Sequence, residues 1–293
     1  MKTSIIVILN NKGGVGKTTT SINLASSYAE LGKKVLVIDL DSQANATAAL
    51  GMAKEIEKSG RCIERSVLDR KDLSQTFVTT KFENIDGVGV GSRKLMEKVG
   101  RDMYGSSRHH KIIEQLLECK KAREYDLIII DSHPGNDDVF LQSALAYAHY
   151  YLIPLFAEEY SSQGLVEQIN AIEEIRLDLN PMLTFLGAVI TKFDKYNSVH
   201  VDFEEVIRDI AKKSGFKVMD TVIPNSKLVS KAESRKLPLN QFGLSKNKPV
   251  THAYTVLAGE LLPNLKGRRI GRKAKIDTSK ITPEVGIELS PTL

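Results

Sequence analysis

The segment Asn11-Lys12-Gly13-Gly14-Val15-Gly16-Lys17-Thr18-Thr19 stands between a bare apolar run, Ser4-Ile5-Ile6-Val7-Ile8-Leu9, and a stretch of helical periodicity. A strand that ends in a glycine-rich turn and opens a helix is the context of a phosphate-binding loop, because glycines let successive backbone N–H groups converge on one anion. Lys17 adds a positive charge for the β- and γ-phosphates and Thr18 a hydroxyl for Mg²⁺. The helix starting at Lys17 turns its positive end on the same point. The spacing predicts a nucleoside triphosphate site built from Gly13, Gly14, Val15, Gly16, Lys17, Thr18 and Thr19. The first glycine of the common G-x-x-x-x-G-K-S/T pattern would fall at position 11, where Asn11 stands, and an extra lysine, Lys12, precedes the glycines.

Beyond the loop, Ile22, Ala25 and Ala29 share a helical face, and Gly32 stops that helix before the strand Val35-Leu36-Val37-Ile38. Three further apolar runs, Leu127 to Ile130, Tyr150 to Ile153 and Leu183 to Ile190, are separated by helical patterns. Ile112, Ile113, Leu116 and Leu117 make one apolar stripe; Leu165, Ile169, Ile172 and Ile175 make another. Strands apolar on both faces, alternating with helices, predict an α/β fold with a mostly parallel twisted sheet covered on both sides. The active edge is expected at the carboxyl ends of the strands. Residues 52 to 110 are less regular, with one strand expected near Asn84 to Val90, and the last helix is expected from about His252 to Leu262. Residues 1–265 read as one nucleotide-binding domain, and 266–293 as a basic tail, broken by Pro283 and Pro291 and expected to be disordered.

Strand-end acids complete the chemistry. Asp39-Leu40-Asp41-Ser42-Gln43 closes the second strand and Asp131 the most apolar one, so both place carboxylates beside the phosphate loop. Asp131 reads as the Walker B acid, in reach of Mg²⁺ directly or through water. His133 follows it, and phosphoryl transfer that depends on positioning and electrostatics gives it no acid–base role. Cys62 and Cys119 are far apart and outside any C-x-x-C, which argues against a disulfide or a metal site. No apolar run approaches the ~18 residues of a membrane span, and the N-terminus does not read as a signal peptide, so a cytoplasmic protein is expected. Net charge is +5, with basic residues concentrated late in the chain: Lys192, Lys195, Lys227, Lys231, Arg235, Lys236 and the run 266–275. Late positive charge points to a nucleic-acid surface.

The run K-G-G-V-G-K-T-T resembles the deviant Walker A motif of the ParA/MinD family of P-loop NTPases. The likeness extends to D-x-D-x-Q at Asp39 to Gln43 with Asn45-Ala46-Thr47, to the Walker B strand, to Ile153-Pro154, and to Thr221 through Ala232. It implies ATP and Mg²⁺ as cofactors and an ATP-bound homodimer in which Lys12 reaches the partner's nucleotide. By the same resemblance Asp41 orients the attacking water, Asp39 and Thr18 join Asp131 around the metal, and Pro224 and Asn225 flank the adenine. Ser42 stands where the family has proline. Thr191-Lys192-Phe193-Asp194 looks like the T-K-x-D of guanine-binding relatives, but ParA-like chains carry a similar T-x-x-D while using ATP.

A ParA/Soj-like partitioning ATPase of this kind would bind double-stranded DNA without sequence preference. Lys195, Lys227, Lys231, Arg235, Lys236, Arg268 and Arg269 would supply the contacts, placing the protein on the nucleoid. A ParB-like centromere-binding partner would stimulate slow hydrolysis. The chain starts almost at its first strand, so an N-terminal helix-turn-helix is not expected. Alternatives are a ParA-like ATPase that positions a protein cargo on the nucleoid and a MinD-like membrane-positioning ATPase, the latter disfavoured by a tail of isolated aliphatics among charges and prolines. A tyrosine kinase on the same loop would carry a late tyrosine cluster, and no tyrosine follows Tyr254.

Overall fold

Strands that are apolar on both faces must be buried on both faces, and the chain meets this with a sheet between two helical layers. The computed structural model describes residues 3–69, 73–104, 111–135, 138–157, 162–242 and 248–267. The first half runs β1 (Ser4–Ile8), α1 (Lys17–Glu30), β2 (Val35–Asp39), α2 (Asn45–Ala49), α3 (Ala53–Ser59), α4 (Ile63–Leu68), β3 (Val78–Thr79), β4 (Ile85–Val88) and α5 (Arg93–Met103). The second half runs α6 (Lys111–Glu118), β5 (Leu127–Asp131), α7 (Val139–Tyr147), β6 (Tyr150–Phe156), α8 (Ser162–Leu179), β7 (Thr184–Thr191), α9 (Ser198–Ser214), α10 (Lys227–Ser234) and α11 (Pro249–Leu261).

The seven strands lie in the order β3-β4-β2-β5-β1-β6-β7, parallel except for β3, which pairs antiparallel to β4. Side chains alternate along each strand, so β1 sends Ile5 and Val7 to one core and Ile6 and Ile8 to the other. The first core is closed by residues such as Ile113, Leu116 and Leu117 of α6, Leu165 and Ile172 of α8, and Ile207 of α9. The second is closed by α1 and α11 through Leu24, Tyr28, Tyr254 and Leu257. Each fully buried leucine or isoleucine contributes about 1.5–3 kcal/mol relative to exposure, which makes these stripes the source of stability.

The expected strands all form: β2 and β5 run one residue longer than read and β6 three, β1 ends one residue earlier, β4 is shorter at both ends, and β7 is shifted by one residue. The last helix starts earlier than His252: Pro249 opens it, at a first-turn position where its missing N–H costs nothing. Within residues 52 to 110, α3, α4, α5 and the two-residue β3 were not predicted; α3, α4 and β3 are too short to show a period, and α5 carries few apolar residues among its charges. The tail beyond 267, including Arg268 and Arg269, lies outside the described residues.

β1 sits centrally, with β5 on one side and β6 on the other, and the strand order switches direction there. The carboxyl edge at such a switch point is a crevice, and the loop after β1 opens into it. The two edges of the sheet are finished differently. On one side β3 ends the ladder; on the other, residues 218 to 224 run beside β7, with bridges Ala188 to Val218 and Phe193 to Pro224.

Candidate active site

Local conformation explains the glycines of the loop. Gly14 (φ +76°) and Gly16 (φ +89°) lie in the left-handed region, where a side chain is strained, and Gly16 caps α1. Val15 between them is buried, so it can serve a ligand only through its backbone N–H. Its carbonyl accepts from Thr191 Oγ1 at 2.8 Å, and the same hydroxyl lies 2.9 Å from the Leu155 carbonyl. Thr191 thus ties the loop to the ends of β6 and β7, a role that reading it as part of a base-recognition motif missed.

Lys17 is buried, and its Nζ donates to the Lys12 carbonyl at 2.8 Å. Burial holds the ammonium below the ordinary lysine value, while Asp131 and Asp41 oppose that shift. Lys12 is exposed at the mouth of the loop, and its backbone N–H donates to Asn10 Oδ1. Asn10 in turn donates to the Pro154 carbonyl, so the loop is anchored on both flanks.

The acids gather behind the loop. Asp131 is fully buried; its Oδ2 accepts from Thr18 Oγ1 at 2.7 Å and its Oδ1 from Ser21 Oγ at 2.8 Å. Thr18 and Ser21 are three residues apart on α1, hence on one helical face, a spacing that could have revealed Ser21 in the sequence. Asp39 is also fully buried, with Oδ2 accepting from the Thr47 N–H and hydroxyl and Oδ1 from the Asp41 N–H. It therefore orders the turn that carries Asp41. Burial pushes Asp39 up to about 6 and Asp131 up to about 7, and the charge of Asp39 adds to the shift on Asp131. Asp41 borders the cleft beside Lys17, and its Oδ1 accepts from the Gln43 N–H.

Together these elements wall a cleft of about 510 Å³ lined by Gly13, Gly14, Gly16, Lys17, Thr18, Thr19 and Asp41. Ile223, Pro224, Asn225, Val229, Glu233 and Tyr254 line it too, with Glu233 meeting Thr19. Pro224 and Asn225 are held there by the sheet edge: the Asn225 N–H donates to the Phe193 carbonyl and the Phe193 N–H to the Ile223 carbonyl. Asp194 does not line the cleft. Its Oδ1 accepts from the Tyr196 N–H and its own N–H donates to His200 Nδ1, so it shapes a turn rather than facing the base. His133 Nδ1 contacts the Pro134 carbonyl and borders a separate pocket with Ser42, Arg93 and Asp138.

On the outer side of residues 224 to 226 a second, larger groove of about 1020 Å³ is bordered by Lys195, Tyr196, Lys227, Lys248 and His252. Lys195, Lys227, Lys231, Arg235 and Lys236 are all exposed.

Comparisons with known proteins find relatives over most of the chain. Residues 3–185 match the family model described as an AAA domain. The chain is 32% identical over 236 residues to the sporulation initiation inhibitor protein Soj of Bacillus subtilis, covering 80% of this chain and 89% of that one. It is 30% identical over 266 residues to the chromosome partitioning protein ParA of Caulobacter vibrioides, covering 90% and 96%. Among solved structures, the putative plasmid partition protein of Borrelia burgdorferi bound to AMPPNP superposes with a TM-score of 0.71 at 27% identity, covering 90% of this chain and all of that one. A glycine-rich loop with an added lysine, a strand-end acid hydrogen-bonded to the loop threonine and relatives of this extent together place the chain in the ParA/Soj family of partitioning ATPases.

Proposed function

We propose that the protein is a DNA-partitioning ATPase that binds ATP and Mg²⁺, pairs into an ATP-bound dimer, holds DNA without sequence preference and releases it on hydrolysis. The observation that carries this reading is the position of α10. Val229, Ser230 and Glu233 on one of its faces line the nucleotide cleft, while Lys227 and Lys231 on another are exposed. One short helix therefore meets both the nucleotide and a basic surface.

The residues present fit the cofactors. Mg²⁺ beside phosphates takes only one or two protein groups, and the Thr18 hydroxyl next to the Asp131 carboxylate is such a pair. When bound, the metal neutralises charge on the β- and γ-oxygens. The backbone N–H groups of Gly13 to Thr19 cradle the phosphates, and Lys17 supplies a preplaced charge that costs no reorganisation. Asp41 orients the attacking water, and Asp39 fixes the turn from which it acts. Lys12, exposed at the loop mouth, reaches the phosphates bound by the partner subunit. Pro224 and Asn225 flank the adenine.

DNA binding falls to Lys195, Lys227, Lys231, Arg235 and Lys236, joined by Arg268 and Arg269, with each subunit of the dimer adding its own patch. Two weak patches on one duplex gain effective concentration without a new contact, which makes binding depend on ATP. A ParB-like partner stimulates hydrolysis, and the protein resides in the cytoplasm on the nucleoid. Among the described residues no helix is long and apolar enough to cross a membrane. The test is duplex binding with and without ATP across a salt titration. Log affinity is expected to fall with log salt at a slope of about −0.9 per phosphate neutralised, and to require ATP. Failure of the ATP-bound dimer to bind at low salt overturns the DNA reading and favours a protein cargo.

A further inference from the structure

Glu233 is the one acidic side chain of α10 that lines the nucleotide cleft, and its Oε1 accepts from Thr19 Oγ1 at 2.7 Å. The two residues are 214 positions apart in sequence. Thr19 belongs to the first turn of α1, where backbone N–H groups and the helix dipole favour an anion. A carboxylate is thus docked, from another element, against the same helix end that serves phosphate.

The faces of α10 show what this contact controls. At about 3.6 residues per turn, Leu228 and Ala232 share the face that packs on the core. Val229, Ser230 and Glu233 form the cleft face, and Lys227 and Lys231 a third face turned to solvent. Among the described hydrogen bonds, the Thr19 contact is the side-chain tether between α10 and the phosphate loop. The Ser226 hydroxyl at the other end of α10 accepts from the Leu228 N–H and its carbonyl from the Val229 N–H, both within its own turn.

We propose that Glu233 is an anionic gate of the nucleotide cleft: its carboxylate engages Thr19, the phosphates of an arriving nucleotide compete with it for that position, and its displacement frees α10 to move. The proposal rests on the nucleotide-site reading above. Like charge between Glu233 and the phosphates opposes binding, and the helix that Glu233 tethers is the one that presents Lys227 and Lys231. Loss of the tether on binding would convert occupancy of the cleft into a change at the basic face, with no contact between nucleotide and DNA.

The experiment compares wild type with Glu233→Gln, nearly isosteric but neutral, using ATP, ADP and adenosine as probes in the full chain. Glu233→Gln is expected to bind ATP about three- to fivefold more tightly at low salt, the scale of a single exposed charge pair. The gain should be smaller for ADP, absent for adenosine, and lost at high salt, where exposed charges are screened. Hydrogen exchange at Val229 to Ser234, measured without nucleotide, should be several-fold faster in Glu233→Gln than in wild type. Unchanged affinity with unchanged exchange overturns the gate. Weaker binding of both ATP and adenosine by Glu233→Gln, with reduced discrimination against the 2′-deoxy forms, also overturns it and makes Glu233 a ribose acceptor. A wild type that binds no ATP overturns the site reading along with it, whereas ATP binding by wild type with an unaltered variant overturns the gate alone.

Discussion

Lys17 and Lys12 are two lysines of one loop, and the bond from Lys17 Nζ to the Lys12 carbonyl shows that the backbone of one steadies the side chain of the other. Lys17→Ala removes the preplaced charge together with that bond, and ATP affinity is expected to drop by about one to two orders of magnitude, as for a lost charged hydrogen bond. Asp41→Ala should leave equilibrium binding near wild type while phosphate release falls by about 10²-fold or more. Nucleotide titration beside steady-state phosphate release separates the two, and an Asp41→Ala protein that hydrolyses normally removes it from the reaction. The buried carboxyls add a pH dependence whose sign is fixed. Burial pushes Asp39 up to about 6 and Asp131 up to about 7, above the ordinary 3.8, so the folded state holds protons that the unfolded chain has released. Stability from this pair is therefore present at low pH and lost as pH rises through about 6 to 7. In chelator, wild type should melt lower at about pH 8 than at about pH 5, and Asp131→Asn should remove much of that difference.

Elements differ in how plainly the sequence announces them. β1, α1, β2, β5, β6 and β7 were legible because long apolar runs and glycine stops leave few alternatives, and the phosphate loop was legible because its chemistry is local. The antiparallel β3, with two residues, has no period to read. Glu233 and Thr191 were hidden for another reason: their partners are set by tertiary closure, and Thr191 carries the signature of a base reader while serving as a brace for Val15. Asp194 misleads in the same way, since a residue type suited to guanine is used here to close a turn. On α10 the lysines stand free of the core, which permits a clean test. Lys227→Ala with Lys231→Ala should weaken ATP-dependent duplex binding at every sequence and flatten the salt slope by about 0.9 per lost contact, leaving ATPase activity intact. An unaltered slope in fluorescence anisotropy titrations would place the DNA surface elsewhere.

At the scale of the whole molecule the questions concern assembly. Lys12→Gln should keep ATP binding by the monomer and abolish the ATP-dependent dimer, because the proposed contact lies in the other subunit. Light scattering with a slowly hydrolysed ATP analogue reads this directly, and a wild type that stays monomeric there overturns the paired arrangement. Truncation after Leu265 should weaken duplex binding and reduce its salt dependence while sparing hydrolysis, if the basic run shares the phosphates. The sheet margins bear on what such assembly can be. Beside β7, the stretch from Val218 to Pro224 takes the place a further strand would occupy, and at the opposite margin β3 offers two residues only. Among the described residues little main chain is left for another copy to zip onto, which blunts both margins against cross-β pairing. On the reading proposed above, association is left to side chains and bound nucleotide, contacts that salt and hydrolysis can undo.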